Sequence, residues 1–518
     1  MSYRFRSALL GATFLPIALL PVACAVGPDF KLPETAAGAD YAPTPLPPAT
    51  EAAAVQGGEV QHFALGKDVP FDWWKQFQSP GLNALVERAF KANPTIDAAQ
   101  AALKEAQENV YAQQGFFFPT LSAGYTGQRV SLSGNTAGAN APGGQGNGSN
   151  IVQTSRAQPV TYTFHTAQLT VGYAPDVFGG NRRQVESLRA QEESQRFALE
   201  ATYLTLAANV VAAALQEAST RAQIETTKEI ILANEKSLAI LQNQFNLGSA
   251  IGIDVAAQET ALAQSKALLP PLEKQYEQTR DLIRSLVGNL PNQDVPETFS
   301  MVSIHLPEEP PVSLPSKLIE QRPDVRAAAE QLHSASALVG VAVANMLPQF
   351  NITAAAGGNA TDIAQMFATG GPFWNLALGV TQPLFDGFTL LHRRRAADQA
   401  LAQAQAQYRS TVIGAFQNVA DTLHALVSDA KALQAAAVAE KAAARSLAIT
   451  RRQLELGQIA YLALLNAQQT YQQAALALIQ AQATRFGDTV ALFQALGGGW
   501  WNREAAGDAK SANRNAPG

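Results

Sequence analysis

The sequence predicts a mainly α-helical chain with a transmembrane β-barrel part, in which a helix-strand-strand-helix-helix repeat occurs twice and supplies four strands per chain. Three observations predict it. The chain carries an internal duplication, each copy contains short stretches of period-two alternation, and each copy has a run of about 60 residues almost free of glycine and proline.

The duplication is read from matched motifs. Asn93-Pro94-Thr95-Ile96-Asp97-Ala98-Ala99 opens the first copy and Arg322-Pro323-Asp324-Val325-Arg326-Ala327-Ala328 the second, which sets Pro94 and Pro323 at an offset of 229. Phe118-Pro119 and Leu347-Pro348 keep that offset. Asp176-Val177-Phe178-Gly179-Gly180 matches Pro383-Leu384-Phe385-Asp386-Gly387 at 207, whereas Leu247-Gly248 and Leu456-Gly457 match at 209, as do Gly288 and Gly497. The drop of 22 between Pro119 and Phe178 predicts an insertion in the first copy. That segment holds a Gly/Asn-rich run from Gly134 to Gly148, the composition of an exposed loop. It lacks the Lys-Ser/Thr of a phosphate-binding loop.

Strands are expected at about 119–130 and 160–173 in the first copy, and about 348–357 and 373–381 in the second. Leu121, Ala123 and Tyr125 alternate with polar or small residues, as do Phe350, Ile352 and Ala354, and Trp374, Leu376, Leu378 and Val380. Such alternation gives a sheet one apolar and one polar face. The second strand is less regular. Tyr162 and Phe164 fall on one face, Leu169, Val171 and Tyr173 on the other, which predicts a bulge or a change of face.

The rest reads as helix. Arg182 to about Phe245 contains no Gly or Pro, and Leu390 to about Leu456 only Gly414. At 1.5 Å per residue each rod is on the order of 90–100 Å long. The turns Leu247-Gly248-Ser249 and Leu456-Gly457-Gln458 then lie at the far ends of the rods, roughly 100 Å from the strands. This shape suits a duct reaching across the periplasm.

The expected domains are a signal peptide at 1–23, an extended leader without a packed core at 24–70, the two repeats at 71–300 and 301–501, and a disordered tail at 502–518. Arg4 and Arg6 precede an apolar stretch from Ala8 to Leu20, as in an export signal. Cys24 is the only cysteine, so no intramolecular disulfide can form. Its position after Ala23 marks it as a lipid-attachment site. The alternative is ordinary cleavage near Ala25, since Pro21 stands where lipoprotein signals usually have Leu.

Composition narrows the setting. Charged residues are 15% against 47% hydrophobic, below the roughly 25% charge of an average soluble chain. A net charge of -5 argues against a nucleic-acid partner. No segment after the signal reads as a helical membrane span, so any crossing must be a β-barrel. Four strands cannot close one, because the smallest membrane barrels have about eight. Open edges in lipid leave backbone groups unpaired at several kcal/mol each. Copies of the chain must therefore pool strands. Two chains give eight and three give twelve, and a lumen wide enough to conduct favours three. No catalytic residue, metal or cofactor is expected. The six histidines are scattered, and neither HExxH nor GxSxG occurs.

At this point the residues resemble a known family, the TolC-superfamily outer-membrane factors of the OprM/NodT type. Four stretches carry the resemblance: Cys24-Ala25-Val26-Gly27-Pro28-Asp29-Phe30, Trp73-Trp74-Lys75-Gln76-Phe77 with Leu82, Leu85 and Asn93, Gln382-Pro383-Leu384-Phe385-Asp386-Gly387, and Ala495-Leu496-Gly497-Gly498-Gly499-Trp500. The resemblance implies a trimer with a twelve-stranded β-barrel in the outer membrane above a long periplasmic α-helical barrel. The implied partners are a periplasmic adaptor protein and an inner-membrane pump, often of the proton-driven RND class. It implies adaptor docking at Leu247, Gly248, Leu456 and Gly457, and a periplasmic gate on the tip helices. Asp254, Leu462 and Asn466 stand at the gate positions. Asn466 replaces an Asp that many relatives carry, so an apolar constriction at Leu462, with Asp254 and Asn466 hydrogen-bonding near it, is expected in place of a salt-bridge latch. Asp254 reads equally as a solvated surface acid. Arg182, Arg183 and Arg393 to Arg395 follow strands, where they would anchor to lipid phosphate or the junction, or simply be solvated. The implied function is the exit duct of a tripartite small-molecule efflux pump. Protein export with an ABC-type exporter is the alternative, and a periplasmic spacer without a pore the third reading.

Overall fold

The computed structural model describes residues 25–33, 41, 43, 47–132 and 160–503. In chain order the elements are β1 (Ala64–Leu65), α1 (Pro80–Ala92), α2 (Pro94–Gln114), β2 (Thr120–Leu132), β3 (Val160–Tyr173), α3 (Gly180–Asn246), α4 (Gly252–Ala267), α5 (Leu269–Leu286), β4 (Pro311–Val312), α6 (Pro315–Gln321), α7 (Pro323–Ala344), β5 (Gln349–Ala360), β6 (Pro372–Thr381), α8 (Thr389–Glu455) and α9 (Tyr461–Ala495). The four long strands and both long helices fall within a few positions of their expected bounds. The chain divides into two compact units, one of residues 1–30, 109–188 and 334–401, the other of 31–108, 189–333 and 402–518.

The first unit holds an antiparallel sheet in the order β2-β3-β5-β6. Its register runs unbroken from Thr120↔Gly172 to Leu132↔Val160, from His165↔Ala360 to Tyr173↔Ile352, and from Gln349↔Thr381 to Gly358↔Pro372. The irregular second strand therefore contains no bulge, and its apolar residues change face halfway. Opposed residues share a face. Leu121, Ala123 and Tyr125 thus lie with Leu169, Val171, Phe350, Ile352, Trp374, Leu376, Leu378 and Val380 on one continuous apolar surface. Ser122, Thr126, Gln128, Gln168, Thr170, Asn351, Thr353 and Asn375 form the opposite, uncharged polar face. In the single chain most of the apolar face is open, with Trp374, Leu376 and Leu378 each at least 69% exposed.

The registers also fix the repeat without sequence matching. The starts of β2 and β5 are offset by 229, and those of α3 and α8 by 209. The same two offsets carry the pair Leu121↔Val171 onto Phe350↔Val380. They differ by 20, so the insertion is shorter than the drop of 22 implied, and the motif match of Phe178 to Phe385 is slipped by two. Gly179 corresponds instead to Phe388, and both have positive φ, 76° and 67°.

The second unit is helical, with an aromatic core where Trp73 stacks on Phe493 at 5.1 Å and Phe77 lies against Phe486 and Phe493. α1 starts on Pro80, suited to a first turn whose N–H groups have no partner, and buries Leu82, Leu85, Val86 and Ala89. The return helix of the first copy is broken into α4 and α5 at Leu268, ahead of Pro270 and Pro271, because proline cannot supply the helical N–H. Its counterpart α9 has no proline and runs 35 residues unbroken. α3 contains one 18-residue stretch apolar enough to cross a membrane, and half of it is buried in the protein. Val210, Val211, Ala214 and Leu215 of α3 are buried core residues.

The expectation of a leader without a packed core is corrected at its C-terminal end. Arg485 of α9 is fully buried and donates to the carbonyls of Gly57 (2.9 Å) and Glu59 (2.6 Å) and to Thr50 Oγ1 (3.0 Å). Gly57 sits on the Phe486 ring, where a β-carbon would come within 2.7 Å. β1 pairs with β4 through Ala64↔Pro311. A Pro/Ala/Gly-rich stretch offers few large apolar side chains for a core of its own, but its carbonyls accept from a buried guanidinium.

Candidate functional site

The two hairpin tips are built from one backbone device used twice. At the end of α3, Gly248 (φ 73°) donates its N–H to Phe245 O at 2.9 Å and Ser249 donates to Gln244 O at 2.8 Å. At the end of α8, Gly457 (φ 72°) donates to Leu454 O at 2.9 Å and Gln458 to Gln453 O at 2.9 Å. This is the Schellman closure of a helix, which wants a left-handed residue. A β-carbon at either glycine would meet nothing within 4 Å. The backbone angle alone selects glycine there. Beside them Leu247 is 80% and Leu456 55% exposed. Ile251 and Ile253 enlarge the exposed apolar surface of the first tip.

Asp254 lies half-buried in the first turn of α4, where the positive end of the helix dipole favours a carboxylate. Leu462 and Asn466 stand one turn apart on the exposed face of α9, while Leu464 between them is buried. Within one chain no side-chain hydrogen bond joins Asp254 to Asn466 among the described residues.

The bond that does tie the tips together was not read from the sequence. Tyr461 Oη donates to Gln258 Oε1 at 3.0 Å. Gln258, fully buried, donates through Nε2 to Asn234 O at 2.9 Å, and Asn234 Nδ2 donates to Ser265 Oγ at 2.9 Å. This neutral network links α9, α4 and α3. Burial, with the Asp254 charge adding to it, pushes the Tyr461 phenol up to about 12, so it remains a donor at physiological pH.

In the first unit, residues 25–29 are held at the start of α3. Val26 N–H donates to Phe178 O at 3.1 Å, and the buried Arg183 donates to Val26 O (3.1 Å), Asp29 (2.8 Å) and Glu186 (2.8 Å). Asp176 accepts from the Asn181 and Arg182 N–H groups at 2.9 Å, capping α3. Arg182 and Arg183 thus serve the junction, whereas Arg393 to Arg395 are exposed, and among the described residues only Arg394 of the three reaches an acid, Asp398 at 4.0 Å. Cys24, the Gly/Asn-rich insertion and the tail beyond 503 lie outside the described residues. Among the described residues no cluster of His, Cys, Asp and Glu is arranged to hold a metal ion.

The sequence profile of the outer membrane efflux proteins matches residues 85–289 and 314–498, one segment for each copy of the repeat. The chain belongs to the outer membrane efflux protein family. It is 27% identical over 461 residues to the pyoverdine export outer membrane protein OpmQ of Pseudomonas putida, covering 88% of this chain and 94% of that protein. It is 24% identical over 483 residues to the toluene efflux pump outer membrane protein TtgC of the same species, covering 93% of each. In fold it is similar to the Campylobacter jejuni CmeC outer membrane channel, with a TM-score of 0.79, 20% identity, and coverage of 95% of this chain and 98% of that one. As an outer membrane efflux protein the chain is a TolC-like outer-membrane channel, the passive exit component of an efflux pump and not an enzyme. Nothing in these likenesses supports the protein-export alternative.

Proposed function

We propose that three copies of this chain close a twelve-stranded barrel in the outer membrane of a Gram-negative bacterium, anchored by lipid on Cys24, and conduct small molecules from a periplasmic adaptor and an RND-type inner-membrane pump. The observation that carries this is the sheet. Where all four strands run side by side it has one continuous apolar face, an uncharged polar face and two open edges, β2 and β6. Such a sheet is stable in lipid only when copies close its edges, and twelve strands leave a lumen that eight would fill with side chains.

The seat of residues 25–29 on the β3–α3 junction supports the anchor, because it fixes the residue after Cys24 beside the end of a barrel strand. The exposed Leu247 and Leu456 beside glycine-closed turns support adaptor docking, since apolar side chains on a rigid tip offer a partner a preorganised surface. Leu462 and Asn466 on the open face of α9 support a gate that closes by an apolar ring and neutral hydrogen bonds. The relatives' cargoes, pyoverdine in one name and toluene in another, both fit small-molecule export.

The test is Leu247→Asp with Leu456→Asp, pump and adaptor intact. Trimers of normal heat resistance that no longer support efflux of a fluorescent dye are expected. Normal efflux through the double variant would remove the tips from adaptor docking. Monomers from the wild-type protein would refute the trimer, and an unmodified Cys24 in intact-mass analysis the anchor.

A further inference from the structure

In a closed trimer the edges β2 and β6 meet, and the duplication supplies the register in which they do so. The joint between the two copies inside one chain is β3 on β5, with Val171↔Ala354 and Tyr173↔Ile352 opposed. The only other joint a closed ring needs is the second copy of one chain against the first copy of the next. Residues of β3 map to β6 at 209 and residues of β5 map to β2 at 229, the offsets fixed by the hairpin registers. Val171↔Ala354 then becomes Val380↔Tyr125, and Tyr173↔Ile352 becomes Gln382↔Ala123. Val380↔Tyr125 continues the apolar face, and Gln382↔Ala123 keeps the same phase just past the end of β6.

The side chains at the two joints are complementary in the way this mapping demands. Inside the chain, residues 25–27 fill a gap left by two glycines. A β-carbon at Gly340 would lie 2.8 Å from Val26 O, and one at Gly179 would lie 2.7 Å from Ala25. The mapped positions hold Tyr111 and Phe388, which are 62% and 59% exposed in the single chain. Phe388 keeps the left-handed backbone of its glycine counterpart, an uncommon conformation for a bulky residue. Nearby, Gly180 packs where a β-carbon would be 3.1 Å from Ala344, and the mapped pair reverses the sizes. Thr389 stands where the glycine stood, and Gly115, with nothing within 4 Å of a β-carbon, stands for the alanine.

We infer that β6 takes the β2 edge of the partner subunit in the register Val380 opposite Tyr125 of the partner subunit, and that Phe388 packs with Tyr111 of the partner subunit in the space residues 25–27 occupy inside the chain. The occupant of the exposed aromatic surface is a second copy of this chain. This rests on the trimeric reading and adds its register, its aromatic contact and a reason for the strained Phe388.

The experiment is disulfide trapping in the purified full-length channel, with Cys24 left in place and single variants as controls. Gln128→Cys with Ala377→Cys is the opposed pair in this register. Gln128→Cys with Asn375→Cys is opposed in the register that the slipped Phe178–Phe385 match would give, and Gln128→Cys with Gly379→Cys is the opposite slip. Opposed residues have Cα atoms about 4.5–5.5 Å apart, within disulfide reach. A slip by two positions moves them roughly 6.7 Å along the strand, to beyond about 8 Å. Oxidation should give covalent dimers and trimers from the first pair only. Efficient trapping of either slipped pair would overturn the register while leaving the trimer. Trapping of none in an assembly of trimer mass would overturn the β2–β6 joint, and a monomer mass would refute the trimer itself. Tyr111→Gly with Phe388→Gly should lower the temperature at which trimers dissociate, and an unchanged temperature would remove the aromatic contact.

Discussion

Removing one oxygen at Tyr461 should loosen the tips. In Tyr461→Phe the ring and its packing stay, and Gln258 Oε1 loses the donor at 3.0 Å. Gln258 is fully buried and its Nε2 is already committed to Asn234 O, so it cannot turn to find another partner without breaking that bond. An unpaired buried acceptor costs about 1–3 kcal/mol. Tyr461 itself is half-buried, so water repays part of this, leaving about 1–2 kcal/mol, or roughly a 5- to 30-fold shift in the opening equilibrium of the α4–α9 contact. Hydrogen exchange reads it directly. Amides in 254–260 and 461–466 should exchange faster by about that factor, with those around Trp73 and Phe493 unchanged, and channels in planar bilayers should show a matching rise in open probability. Unchanged exchange in both segments would show that the network is not what holds the two helices together.

Three other outcomes follow from the same structure. Arg280→Met should destabilise the helical unit by about 3–5 kcal/mol, because Glu217 is fully buried and Arg280 faces it at 3.5 Å. Adding Glu217→Gln should recover much of that in thermal unfolding, and no recovery would contradict the pairing. Asp429 is held up at about 7 by burial first, then by its hydrogen bond to Asp488 and that group's charge, with Arg485 opposing. Its folded value exceeds the unfolded one, so this contribution to stability is fully present below about pH 4 and is lost as pH rises through about 7. Asp429→Asn should flatten that part of the stability–pH curve, and a curve identical to wild type would contradict it. Leu462→Ser should raise the resting conductance, since an apolar side chain 61% exposed in the single chain becomes polar in every subunit of the proposed trimer. Unchanged conductance would remove Leu462 from the gate.

Much of this was legible in the sequence because it rests on local rules. The left-handed Gly248 and Gly457 are what helix ends require. The alternation in β2, β5 and β6 reports the apolar face directly, and glycine- and proline-free runs give α3 and α8 nearly to the residue. What was not legible depends on partners distant in sequence. The bulge-or-face ambiguity in β3 needed the neighbours' register to resolve. The repeat match slipped by two because Phe178 and Phe385 look alike, while the backbone pairs Gly179 with Phe388. The leader's seat depends on Arg485, near the other end of the chain, whose burial no local pattern announces. Gln258 is one glutamine among many on amphipathic helices, and only the approach of Tyr461 singles it out.

An exit duct for small molecules must be required for their export. The direct test is energised efflux of a fluorescent dye from cells with and without the gene, pump and adaptor left intact and homologous channels removed. Efflux that slows on deletion and returns with the wild-type gene is the predicted result. Efflux at the same rate without the chain would contradict the exit-duct role.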